Sequence, residues 1–168
     1  MKLATARRGS MERGSAKVRD EEGATLVEFA LAASILFVML FGIIAGCLAL
    51  YTFNFVSDAA REATRWAVVR GGSCSALDNC GATAAEVQSY VRALGYPGMT
   101  ATNLTATTNW LSASATAPTT WTSCVGSGCN VPGNAVQVQV TYTFPFDVPW
   151  WKTTSISISS KSQMVISN

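Results

Sequence analysis

From Phe29 to Ser57 the chain runs for 29 residues without a formal charge, and its most apolar part is Ile35–Ile44. In helical form about 20 apolar residues cross a bilayer core, so this run is long enough to be a transmembrane anchor. A cleaved secretory signal is the competing reading, but its apolar region spans only about 7–15 residues. The run also continues into more helix-forming sequence rather than into a loop. The segment 24–56 is therefore read as a single membrane-spanning helix. Residues 1–23 precede it as a charged leader, and residues 57–168 follow it as one domain.

Charge placement gives the anchor a direction. Residues 1–23 hold Lys2, Arg7, Arg8, Arg13, Lys17 and Arg19, diluted by Glu12, Asp20, Glu21 and Glu22. Beyond the span, the first basic residues are Arg61, Arg65 and Arg70. By the positive-inside rule the leader is cytoplasmic and the C-terminal domain lies outside. After residue 23 acids and bases balance, leaving no basic face of the kind that nucleic acid requires. Cysteine usage suits the outer side. Cys47 lies in the apolar run as a small filler, while Cys74, Cys80, Cys124 and Cys129 fall in Gly/Ser/Asn-rich loops. Four cysteines allow three pairings. Cys74–Cys80 and Cys124–Cys129 close the smallest loops and are the pairing expected. A zinc site is the alternative, disfavoured by the spacing and the absence of histidine.

Helical character persists past the anchor. Val56, Ala60, Ala63 and Ala67 share one stripe, and Asp58, Arg61, Glu62 and Arg65 share another. A helix over 24–70 would be about 70 Å long, its outer part (57–70) forming a stalk that Gly71-Gly72 end. A second helix is predicted over 83–94. Thr83 and Glu86 form a capping box, Val87, Tyr90, Val91 and Leu94 make an apolar stripe, and Gly95 is the stop. From residue 99 onward the sequence is mostly β. Met99–Thr108 is one candidate strand. In 135–144, Val136, Val138, Val140, Tyr142 and Phe144 alternate with polar residues. Pro145 and Pro149 are expected to interrupt that strand, and 154–166 resumes the alternation with Ile156, Ile158, Met164 and Ile166. Residues 109–134 are read as a long polar loop. The five tryptophans, Trp66, Trp110, Trp121, Trp150 and Trp151, are assigned to packing rather than binding. The class is α+β: a long N-terminal helix, one short helix and a small antiparallel sheet, with the alanine stripe against Val136, Val138 and Val140.

The segment Gly23-Ala24-Thr25-Leu26-Val27-Glu28-Phe29 sits where the charged leader meets the apolar run. A cut after Gly23 would keep the whole hydrophobic helix and place a new ammonium on Ala24. This heptad resembles the prepilin-peptidase site of class III type IV prepilins, in which cleavage follows Gly and Glu is the fifth mature residue. Asp58–Gly71 is similar to the stretch after the anchor in TadE-like pseudopilins of the tight-adherence (Flp) pilus. Val136–Pro145 and Ile158–Ile166 resemble that family's C-terminal strands. The resemblance implies a pilin-like structural subunit of the inner membrane, a minor or priming pilin. Its implied partners are a prepilin peptidase, other pilin subunits, the Tad assembly platform and the bilayer, with no cofactor.

Under that resemblance Gly23 and Ala24 form the processing site, and Glu28 with Phe29 the assembly site. Glu28 would then pair with the Ala24 ammonium of its own or a neighbouring chain. The plainer reading of Glu28 is a hydrated interfacial carboxylate at a helix N-terminus. Gly42 and Gly46 permit close helix approach in lipid, or are small residues there by chance. An enzyme is disfavoured, since the chain has no histidine and its acids Asp58, Glu62, Asp78, Glu86 and Asp147 are scattered. The remaining alternative is an uncleaved, membrane-anchored binding or adhesion module.

Overall fold

The computed structural model describes residues 12–114, 120–126, 128–146 and 154–167, with 12–22 and 146 described by backbone alone. Two compact units divide the chain, Met1–Ile44 and Ala45–Asn168. Helix α1 runs Glu12–Val68 and helix α2 Ala84–Ala93, and a single 3-10 turn covers Ala101–Asn103. The strands are β1 (Leu104–Ala113), β2 (Trp121–Cys124), β3 (Ala135–Phe146) and β4 (Thr154–Val165). They form one antiparallel sheet in the order β2-β1-β3-β4.

Helix α1 begins at Glu12 rather than near Ala24. Ala16, Lys17, Arg19, Glu21 and Glu22 are good helix formers and no proline intervenes, so composition that reads as a hydrophilic leader also sustains a helix. The part of the leader before Glu12 lies outside the described residues. At its other end the helix stops at Val68, ahead of Gly71-Gly72. There the Arg70 carbonyl accepts from Gly81 N (3.0 Å) and Ala82 N (2.9 Å), and Gly72 N donates to Asn130 O at 2.6 Å. A Cβ on Gly72 would come within 2.8 Å of that oxygen, so only glycine fits.

The second unit is built on one seam. Val56, Ala59, Ala60 and Ala63 of α1 and Val136, Val138 and Val140 of β3 are all fully buried in one cluster. Small side chains on the helix and β-branched ones on the strand fill this layer together, and close packing is where dispersion accumulates. Opposite β3, the β4 residues on the same face are Ser160 and Ser162, in register with Val140 and Val138. They too are small. Thr64, buried in this layer, donates to Ala60 O at 2.7 Å and lies 3.4 Å from Ser162 O, so its hydroxyl is satisfied.

Helix α2 forms as its caps dictate. Thr83 Oγ1 accepts from Glu86 N (3.3 Å), and the Glu86 carboxylate accepts from Thr83 N at 2.7 Å. The Thr83 backbone and side-chain bonds hold the Glu86 carboxyl below its usual pKa. Val87 and Val91 are buried, and Gly95 ends the helix at φ +58°. Two phenols tie α2 and the turn after it to α1. Tyr90 Oη donates to Glu62 at 3.3 Å and Tyr96 Oη to Asp58 at 3.0 Å. Trp66 stacks on Tyr90 with ring centroids 5.0 Å apart, and Arg70 lies 4.4 Å over the same indole. Tyr96 also meets Phe55 edge-on at 3.8 Å.

The sheet departs from expectation at both ends of its first strand and at Pro145; the strand starts at Leu104, after the 3-10 turn, rather than at Met99. The first strand runs to Ala113 and pairs with β2, so 109–134 is not a continuous loop. Its inward face is Leu104, Ala106, Thr108 and Trp110, in which Ala and Thr hide the alternation that larger residues would display. Pro145 stays inside β3 opposite Ser155. Pairing of β3 with β1 ends at Tyr142. Beyond it the strand has a single neighbour, and proline is tolerated there as on an edge. Pro149, Trp150 and Trp151 lie outside the described residues. Among the aligned β4 residues, Ile158 is partly buried while Ile156 and Met164 stay exposed; Ile166, just past the strand, is buried.

Enlarging the seam should be costly. Ala63→Leu is expected to destabilise the second unit by about 1–3 kcal/mol through overpacking, measured by urea unfolding of the full chain in detergent micelles. Alkaline pH should also loosen the unit. Burial, reinforced by the Asp58 hydrogen bond, pushes the Tyr96 phenol up to about 12. Below an ordinary tyrosine pKa of about 10 its contribution is fully present, and between about 10 and 12 the unfolded chain releases this proton first. Stability should therefore fall as pH rises through that window. Tyr96→Phe should flatten the fall in a pH series of thermal melts.

Candidate functional site: the apolar surface of the N-terminal helix

Along α1 the side chains change character at about residue 50. Leu26, Phe29, Ile35, Leu36 and Met39 each expose more than three-fifths of their surface. The core of the second unit takes its first α1 residue only at Phe55. A helix that is apolar all round and covered by nothing suits lipid as solvent. The segment Gly23–Val68 is long and apolar enough to cross a membrane; its most apolar window has mean hydropathy 2.6, with none of it buried. Lack of burial separates it from the core helix of a soluble domain.

Two of its hydroxyls are satisfied by the helix's own carbonyls, as a bilayer favours. Ser34 Oγ donates to Ala30 O at 2.7 Å, and Thr52 Oγ1 to Leu48 O at 2.8 Å. Phe37 and Phe41 stack with centroids 6.4 Å apart. Cys47 is a free, exposed thiol. The single apolar helix makes the chain membrane-anchored.

The residues singled out at the membrane edge lie on this helix and not in a pocket. Gly23, Ala24, Glu28 and Phe29 are all exposed and helical. A Cβ on Gly23, Gly42 or Gly46 would meet nothing within 4 Å. Glu28 has no ion-pair partner among the described residues, whose one salt bridge is Arg65–Glu62 at 4.0 Å. Among the described residues, then, none of these has a neighbour to explain it. They are outward-facing, and what they offer is surface.

The cysteines belong to the other unit. Cys74 is bonded to Cys80 and Cys124 to Cys129, with Cα–Cα distances of 5.3 and 5.7 Å. Among the described residues no group of three or more His, Cys, Asp or Glu could hold a metal ion.

Comparison with known proteins finds a likeness confined to the first helix. Residues 23–65 match the family model described as TadE-like protein. The matched segment starts at the glycine of the membrane-edge motif and ends on the amphipathic stretch after the anchor, short of α2 and the sheet. No curated protein and no solved structure matches the chain.

Anchoring makes a direct prediction. After alkaline carbonate extraction the full chain should stay in the membrane pellet, read by immunoblot; release into the supernatant would refute a spanning helix. Over the membrane helix and its amphipathic continuation, residues 23–65, the chain is therefore similar to TadE-like proteins, and α2 and the four-stranded antiparallel sheet lie beyond that likeness.

Proposed function

We propose that this chain is a minor pilin or pseudopilin of a tight-adherence pilus, made as a precursor and trimmed after Gly23 by a prepilin peptidase. One observation carries the reading: the TadE-like segment begins at Gly23, and from there the helix bears an apolar surface that its own chain leaves bare. Such a surface has two solvents available to it, lipid and the like helices of other subunits. A structural subunit that passes from membrane to filament exchanges one for the other.

In this reading trimming leaves an ammonium on Ala24, one helical turn before Glu28. A lone carboxylate at a membrane edge is costly unless it is paired or hydrated. An ammonium from the same or an adjacent subunit neutralises it, and the pairing sets the stagger between subunits. Gly42 and Gly46, four residues apart and free of contacts, let a second helix approach closely. The N-terminus lies in the cytoplasm and residues 57–168 emerge outside, where an oxidising compartment keeps both disulfides formed. Partners of this kind are other pilin subunits and the Tad assembly platform.

Co-expression with a prepilin peptidase, followed by intact-mass measurement of the membrane-extracted chain, tests this. The expected mature N-terminus is Ala24, and Gly23→Leu should block trimming. Retention of residues 1–23 in peptidase-positive cells would instead favour an uncleaved anchored binding module.

A further inference from the structure

Three buried polar atoms share one place in the outer unit and have no hydrogen-bond partner among the described residues. They are Thr108 Oγ1, Trp110 Nε1 and Asn130 Oδ1. All three residues line a single cleft of about 860 Å³, within the range of about 300–1,000 Å³ typical of small-molecule sites. Thr108 and Trp110 come from the inward face of β1. The opening of α2 and the loop closed by Cys124–Cys129 supply the other walls. Leaving a buried polar group unpaired is costly, and three in one cleft point to partners that arrive from outside.

The chemistry of the walls narrows what those partners are. None of the described lining residues carries a charge. The α2 N-terminus at the rim is already answered by the Glu86 carboxylate, which accepts from Thr83 N and Thr83 Oγ1. An anion or a cation would enter uncompensated. Asn130 Nδ2 donates to Ala82 O (3.2 Å) and Arg70 O (3.4 Å), which fixes the amide so that Oδ1 is the free acceptor. The three groups therefore offer an indole donor, a carboxamide acceptor and a hydroxyl that does both. A hydroxyl on the ligand is the complement of each, since it donates and accepts through the same atom.

We infer that the cleft bounded by Thr108, Trp110 and Asn130 is a binding site for a neutral saccharide. This is separate from the membrane helix and stands or falls independently of the pilus reading. The three atoms are closed off from bulk water as the structure stands, so a sugar that reaches them shifts the Trp110 side chain.

The test uses the full chain in micelles of a detergent without a sugar headgroup. Maltose, lactose, cellobiose and diacetylchitobiose are titrated by indole fluorescence and by saturation-transfer NMR, beside an uncharged Ala/Ser/Gly tetrapeptide. At least one disaccharide should give a saturable response. Thr108→Val, which keeps the shape and removes the hydroxyl, and Trp110→Phe should each weaken it by up to about tenfold, the worth of one hydrogen bond. Thermal melts of Thr108→Val at or above the parent temperature show that the fold is intact. No response to any disaccharide, a response undiminished in both variants, or a response to the tetrapeptide alone each overturns the inference.

Discussion

The buried layer shared by the small-residue face of α1 and the valines of β3 is the packing on which the second unit depends. Val56, Ala59, Ala60 and Ala63 are fully buried there, as are Val136, Val138 and Val140. Other features follow from its narrowness. The strand next to β3 must present serines, Ser160 and Ser162, where α1 passes overhead. Thr64 can sit in the layer only because Ala60 O accepts its proton. Helix α2 then covers the part of the sheet that α1 leaves open, with Val87 and Val91 in the same core. The polar ties from Tyr90 and Tyr96 to Glu62 and Asp58 lie at the half-wet margin, where they orient more than they stabilise.

Much of this was legible in the residues. The alanine stripe, the alternation through Val136–Phe144 and the Thr83/Glu86 box each carry a period or spacing that one physical rule explains, and each element formed as read. What escaped was β1 beyond Thr108 and all of β2. Beyond Thr108 the strand reads Asn109-Trp110-Leu111-Ser112-Ala113, with two large apolar residues side by side, and β2 is the short Trp121-Thr122-Ser123-Cys124, so neither displays an alternating face. The hairpin is fixed instead by the pairing of β1 with β3, which is non-local. Pro145 misled for a related reason: the rule against proline in strands holds only where both edges are paired, and pairing is not a local property.

The candidate site divides in the same way. Gly23, Glu28 and Phe29 stood out in the sequence because a charge boundary meets an apolar run there, and that is a one-dimensional signal. The Thr108, Trp110 and Asn130 cleft gave none. Its members come from β1 and from the loop before β3, and nothing in their spacing brings them together. The tryptophans were assigned to packing, which describes Trp66 with Tyr90 and Arg70. It accounts only in part for Trp110, whose ring packs against the core while its indole nitrogen finds no partner among the described residues.

Helix α1 meets two demands by changing residue size along its length. Toward the N-terminus Leu, Ile and Phe point outward with no protein to receive them, a surface that is stable only against hydrocarbon. Past Phe55 alanines take over on one face, and the partner becomes the sheet. Every described residue of the hydrophobic core lies at or after Phe55. Removal of everything before Ala24 therefore takes no atom from that core, and neither does exchanging lipid for neighbouring helices around residues 24–44. A chain whose folded core is indifferent to both events can fold first and be trimmed or relocated afterwards. That independence is what the proposed pilin reading needs, and it follows from where along one helix the alanines begin.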